Sequence, residues 1–333
     1  MSDTEHTILD RLRHCLHQYL GVFGLPRNIY WTASSDDFAN PGIEVGEHGL
    51  ISLPLGPRDV DIIKEASPSA SSNTDQNAVA NNTLALDPSQ FRLHSPAWQD
   101  FLDKIILTPM FEAFALNSAS VKLRELLLHE PGSFIKRYQH SVTEPEIIGT
   151  IVISLPSTHK GGDIKLSFGK QIRTCQTSPE SESKLVALAW LGEVSCEIEE
   201  LLSGHRLVLT YDIVVPNIGM DEVLSDWRDA DCGLDKAVYP LKYKYPASGL
   251  SFNALKWHDK VACQYLQRMA FKSGFSVFLA RMTHHKQKIV SGSNVLARPN
   301  YTKLDQVYSC RGNPVARGLD IGEHELPSQL QDS

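Results

Sequence analysis

Leu126-Leu127-Leu128-His129-Glu130-Pro131-Gly132-Ser133-Phe134-Ile135-Lys136-Arg137-Tyr138-Gln139-His140 is the stretch whose reading decides the fold. It begins inside an apolar run, Leu123–His129, that reads as a strand. Four more runs of the same kind follow: Ile147–Leu155, Asp163–Phe168, Leu185–Leu191 and Arg206–Val215. Val, Ile and Leu dominate them, and Gly161-Gly162 and Ser203-Gly204 supply turns. Several short strands in succession, separated by turn signals, indicate a jelly roll or barrel.

Outward from that core the pattern changes. Ile8, Leu12, Cys15, Leu16 and Tyr19 fall on one face of a helix over residues 7–20. Prolines 26, 41, 54 and 57 interrupt the next forty residues, leaving a short strand near Ile51–Leu55 and a helix near Val60–Lys64. Residues 66–82 are rich in Ser, Ala and Asn and cannot bury a core, so they read as a mobile loop, either a plain insertion or a lid. Ser95-Pro96 opens a helix whose buried face carries Trp98, Phe101, Leu102, Ile105 and Ile106. Pro109 ends or kinks it, a second piece runs over Met110–Leu116, and Ala119–Leu123 reads as a further helical segment. A last helix spans Trp257–Lys272, and the remainder is polar and weakly patterned. The expected organisation is α+β. Residues 1–120 form a helical N-terminal support with the 66–82 loop, 121–216 the β core, and 217–333 a C-terminal helical region and tail.

The chain is 333 residues long with 42% hydrophobic and 21% charged residues, ordinary values for a globular protein. A net charge of -7 gives no electrostatic reason to expect nucleic acid. No apolar stretch reaches the length of a membrane span, and the acidic start, Met1-Ser2-Asp3-Thr4-Glu5-His6, does not read as a secretory signal. The six scattered cysteines contain no C-x-x-C pair and read as reduced thiols, so a cytoplasmic location is expected.

Four ordered segments carry a resemblance. They are Thr83-Leu84-Ala85-Leu86-Asp87-Pro88-Ser89 with Pro96-Ala97-Trp98; Leu127 to Phe134; Gly149 to Ser157 with Gly161-Gly162-Asp163; and Ser203 to Tyr211. Together they resemble a fungal-type branch of the 2-oxoglutarate/Fe(II)-dependent dioxygenases, the prolyl 4-hydroxylase-like group, over roughly residues 40–215. The resemblance implies a double-stranded β-helix, a jelly-roll core with helices packed against it. It also implies an iron site of the His-x-Asp…His type, which this sequence does not reproduce. Tyr138 stands at the first His position, His140 at the carboxylate position and Cys196 at the distal His position. Such oxygenases hold Fe(II) with two His and one carboxylate and leave positions open for co-substrate and oxygen. A neutral phenol is a poor Fe(II) ligand, and a thiolate suits softer metals. Arg206, ten residues after Cys196, stands where the resemblance places the arginine that grips the distal carboxylate of 2-oxoglutarate.

The candidate site residues are therefore Tyr138, His140, Cys196 and Arg206. A guanidinium inside a barrel needs an anion, either a carboxylate of substrate or 2-oxoglutarate, or an internal partner such as Glu193, Glu197 or Asp163. His140 reads as a base, a Zn ligand or a core histidine, and Tyr138 as a donor to a carbonyl. Cys196 reads as a nucleophile without a base beside it, or as a small buried thiol.

Three functions follow. The first is a metal-independent isomerisation, dehydration or cyclisation of a small organic substrate, possibly a specialised metabolite, with no cofactor. The second is a dioxygenase that uses Fe(II) and 2-oxoglutarate through an altered ligand set. The third is a non-catalytic binding or regulatory protein. The expected partners are a small-molecule substrate and another copy or a related chain; neither nucleic acid nor membrane is expected.

Overall fold

The structure, a computed structural model, describes residues 3–24, 28–67, 82–139, 144, 146–168, 171–192, 194–230, 234–246, 250–285 and 301–322. Helix α1 (Asp3–Val22) is followed by strands β1 (Tyr30–Ser35), β2 (Ile43–Val45) and β3 (Gly49–Leu50), then helix α2 (Pro57–Ala66). Next come β4 (Thr83–Leu86), β5 (Phe91–Leu93), helix α3 (Pro96–Phe101), a π-helical stretch over Leu102–Leu107 and helix α4 (Thr108–Phe114). Strands β6 (Ser120–His129), β7 (Ile135–Gln139), β8 (Ile147–Ser154), β9 (His159–Gly161), β10 (Ile164–Phe168) and β11 (Gln171–Cys175) follow. Then come β12 (Leu185–Leu191), β13 (Ser195–Ile198), β14 (Leu201–Gly204) and β15 (Arg206–Val214). Helices α5 (Met220–Asp229) and α6 (Trp257–Lys272) and strands β16 (Leu279–His285), β17 (Tyr301–Tyr308) and β18 (Pro314–Ile321) complete it.

The chain divides into two compact units, one of residues 22–216 and one of residues 1–21 with 217–333. In the first, a six-stranded sheet has the order β1-β12-β8-β15-β6-β4 and a four-stranded sheet the order β11-β10-β13-β7. Strands β6, β8, β12 and β15 go to the larger sheet, and β7, β10, β11 and β13 to the smaller. The chain crosses back and forth between the sheets as it runs from β6 to β15, which is the strand plan of a jelly roll. All pairings in both sheets are antiparallel. The fold is α+β, with few helices beside many antiparallel strands.

Burial explains the runs of apolar residues in the sequence. Strands β8, β12 and β15 are buried along nearly their whole length because both faces are covered. One face supplies Val152, Leu188, Trp190 and Val208 to a core shared with Ile164, Leu166, Cys175 and Cys196 of the smaller sheet. The other is covered in part by α3, whose buried Trp98 donates from Nε1 to Tyr211 Oη at 3.2 Å.

Several expectations are corrected. Residues 1–120 are not purely helical support: they contribute five strands, and β1 and β4 extend the larger sheet at both edges. Residues Ala119–Leu123 are not helical, since Ser120 already begins β6 and pairs with Val214. Ile105 is not buried; the π-helical stretch shifts the helical face, so that Trp98, Leu102 and Ile106 are buried while Ile105 is 48% exposed. The C-terminal unit is not only helix and tail, because β16, β17 and β18 form an antiparallel three-stranded sheet. Most of the 66–82 loop lies outside the described residues. Among the described residues, Cys15, Cys175, Cys196, Cys263 and Cys310 are free thiols, and no helix is long and apolar enough to cross a membrane.

Gly204 closes the turn into β15 at φ +78, and a Cβ there would lie 2.1 Å from the Thr158 carbonyl oxygen. Gly204→Ala is expected to lose about 3 kcal/mol or more in urea denaturation, through backbone strain and a clash that only backbone movement relieves. Gly21→Ala, where a Cβ meets nothing within 4 Å, is expected to be neutral or stabilising by up to about 1 kcal/mol. Equal losses in the two variants would contradict this account of the turn.

Candidate functional site

Arg206 is the first residue of β15 and faces the jelly-roll interior, two positions before the core residue Val208. Its side chain is 1% exposed. Nε donates to Ser154 Oγ at 3.0 Å and Nη1 to the Gly162 carbonyl at 3.3 Å. Nη2 is buried with no hydrogen-bond partner. A guanidinium carries five N–H donors, so much of its capacity is unspent. Among the described residues, no carboxylate makes an ion pair with it. Asp163 instead accepts from Gln176 at 3.4 Å, and Glu193 lies outside the described residues. Burial is the main force on Arg206 and pulls its pKa down to about 10, against small opposing contributions from Cys196 and Asp163. It therefore stays charged at neutral pH.

Two buried histidines sit near it. His129 ends β6 and is the direct cross-strand partner of Arg206. Its Nδ1 lies 3.0 Å from Thr83 Oγ1 on β4. Burial first, then the Arg206 cation and His159, hold its pKa down to about 3, so the imidazole is neutral. His159 on β9 donates from Nδ1 to the Ser157 carbonyl at 2.7 Å. Its Nε2 therefore accepts from Thr177 Oγ1 at 3.1 Å. Burial lowers the His159 pKa as well.

Arg206 and His129 both line a narrow recess whose walls stand too close to admit a water molecule. Phe134, Ile135, Ile198 and Leu201 make its apolar wall, and Ser133, Gly162 and Glu199 complete it. Glu199 is engaged by Lys165 Nζ at 2.5 Å.

Of the residues singled out in the sequence, Tyr138 and Cys196 are brought together as direct cross-strand partners on β7 and β13. The side chain of Tyr138 and the whole of His140 lie outside the described residues. Cys196 is 2% exposed and packs in the apolar core with Leu166, Val194 and Val208. Burial pushes its thiol up to about 12, so it stays protonated. A thiol is a soft donor, whereas Fe(II) oxygenase sites use imidazole and carboxylate, so Cys196 does not match that ligand set. Among the described residues, no three His, Cys, Asp or Glu side chains are grouped to hold a metal. His129 was not singled out as a site residue. Its only sequence signal is its place at the end of a strand, and its relation to Arg206 exists only through the strand register.

The sequence matches no protein-family model and no curated protein. Solved structures similar to this chain include a Pseudomonas putida prolyl-4-hydroxylase, at 13% identity and TM-score 0.35 over 62% of this chain and 100% of that one. A 2OG-Fe(II) oxygenase-family protein from Burkholderia pseudomallei is 11% identical, with TM-score 0.33 over 62% of this chain and 92% of that one. A Trichoplax adhaerens prolyl hydroxylase is 9% identical, with TM-score 0.35 over 65% of this chain and 94% of that one. At these values the likeness carries no argument about activity, and the jelly-roll description rests on the strand order itself.

The neutral histidines make stability depend on pH with a definite sign. The His129 pKa is about 3 in the folded chain against an ordinary 6.5. Between those values the unfolded chain binds a proton that the folded chain does not, so stability falls as pH drops from about 6.5 towards 3. One such proton contributes about 1.4 kcal/mol per pH unit. Denaturant titrations at stepped pH are expected to show this slope, and His129→Leu is expected to make it shallower by about one proton. An unchanged slope in the variant would mean that His129 is not held neutral.

Proposed function

We propose that the chain binds a small organic carboxylate at Arg206, inside the jelly roll, and acts on it by a metal-independent step such as isomerisation, dehydration or cyclisation. The observation that carries this reading is the fully buried guanidinium with an unpartnered Nη2 and no ion-pair partner among the described residues. A buried charge without a counterion costs several kcal/mol. A well-packed apolar side chain would fill the same volume at less cost, so an arginine here makes sense when an external anion completes it. The recess beside it has apolar walls that stand close together, so a ligand enters by displacing side chains such as Phe134 or Leu201.

Arg206 would fix the carboxylate and orient the rest of the molecule. Tyr138 and His140, on and just beyond β7, are the proposed acid and base for proton transfer at the substrate carbon skeleton. Cys196, a protonated thiol in the core, would act as wall. A second reading has the same arginine hold 2-oxoglutarate for an iron-dependent oxidation. It is favoured by the position of Arg206 ten residues after Cys196 on a jelly roll, and disfavoured by a soft thiol standing where an imidazole would be needed.

Anaerobic calorimetry with 2-oxoglutarate, with and without Fe(II), separates the two. Saturable binding without metal and no visible charge-transfer band on adding Fe(II) is the expected result. Binding that requires Fe(II) and develops the band would establish the oxygenase reading instead. Arg206→Met is expected to weaken carboxylate binding by about a hundredfold or more. It is also expected to raise the stability of the ligand-free protein by about 1–3 kcal/mol, because an uncompensated buried charge is removed. A destabilised Met variant would show that the hydrogen bonds to Ser154 and Gly162, or a counterion within the chain, hold Arg206 for stability.

A further inference from the structure

We propose that His129 is the second anchor of the Arg206 site: a neutral imidazole that donates a hydrogen bond from Nε2 to the bound carboxylate, with Thr83 setting its tautomer. This rests on the carboxylate reading of Arg206 given above and names a further residue of the same site.

Three adjacent strands line up the residues. Thr83 on β4 pairs directly with His129 on β6, and His129 pairs directly with Arg206 on β15. Directly opposed residues of antiparallel strands project from the same face of the sheet. Thr83, His129 and Arg206 therefore form a row across the larger sheet, and the last two line the recess. Thr83 Oγ1 engages Nδ1 at 3.0 Å, and no other hydrogen bond reaches the ring among the described residues. Nε2 is then the ring's open polar atom, and the residue directly across the strand, Arg206, carries the unpartnered Nη2.

Charge selects the form of the imidazole. One carboxylate balances one guanidinium, and a protonated imidazole would leave a net positive charge in a desolvated pocket. The surrounding charges do not change this. Arg206 begins β15, His205 lies in the turn between β14 and β15, and His159 is on β9. Glu130, next to His129, is engaged by Lys64 Nζ at 2.6 Å and lies 3.8 Å from His205 Nε2. Glu199 is engaged by Lys165, and Asp163 makes no ion pair with Arg206. For neutral Nε2 to carry the proton, Nδ1 must accept, and the Thr83 hydroxyl has the one proton to give. Thr83 is thus a positioning residue that acts through His129.

The test is calorimetry with 2-oxoglutarate and with acetate, together with 15N spectra of the imidazole, on wild type, Arg206→Met, His129→Leu, His129→Gln, Thr83→Val and Thr83→Ser. His129→Leu is expected to weaken binding about tenfold, and His129→Gln, which keeps a donor near the Nε2 position, to recover most of it. Thr83→Val is expected to shift the 15N pattern away from a pure Nε2–H tautomer and to weaken binding about threefold or more, while Thr83→Ser restores both. Wild-type affinity is expected to be flat between about pH 6.5 and 8.5. If Arg206→Met abolishes binding while His129→Leu binds like wild type, the His129 role is overturned and the Arg206 site stands. Affinity that rises about tenfold per pH unit on acidification would overturn the neutral donor in favour of a protonated imidazole. If the wild-type protein binds neither probe, the Arg206 reading fails and His129 fails with it.

Discussion

A guanidinium sealed inside a jelly roll, with no carboxylate paired to it among the described residues, is the constraint around which the site is organised. Arg206 spends two donors on Ser154 and Gly162 and leaves Nη2 without a partner. Its field reaches three titratable neighbours. It helps hold His129 neutral, acts in the same direction on His159, and slightly opposes the rise that burial imposes on the Cys196 thiol. A cation kept at such cost in a core of Leu, Val and Ile is poorly explained by stability alone. The proposed external anion would explain it.

The architecture supplies the position. Both faces of β15 are covered, so its first residue is carried into the interior together with Leu207 and Val208. The turn before it is tight enough that Gly204 approaches the Thr158 carbonyl, which fixes where β15 begins. The register with β6 then fixes His129 opposite Arg206, and the register with β4 fixes Thr83 opposite His129. Three polar side chains in a row follow from pairing alone. The smaller sheet contributes the opposing wall, where Cys196 is held among apolar neighbours.

Much of this was legible in the sequence. The five apolar runs between Leu123 and Val215 became β6, β8, β10, β12 and β15 with small shifts at their ends, because strands buried on both faces need continuous apolar residues. Helix α6 was equally plain. Strands that expose polar residues were not. Strand β18 is exposed at most positions, so its sequence reads as tail. The π-helical stretch moved Ile105 outward, which a regular 3.6-residue repeat does not anticipate. For the site, Arg206 was found by resemblance, whereas the pairing of Tyr138 with Cys196 is visible only in the register of β7 and β13. His129 was invisible as a site residue, since its meaning lies in which strand lies beside it.

The central claim is that Arg206 has no internal counterion and takes an external one. The most direct measurement is a high-resolution crystal structure of the full chain grown with acetate at neutral pH. The account predicts a carboxylate within hydrogen-bond distance of Nη2, lying between Arg206 and His129. A side-chain carboxylate of the chain itself, such as that of Glu193, closing an ion pair on Nη2 would contradict it.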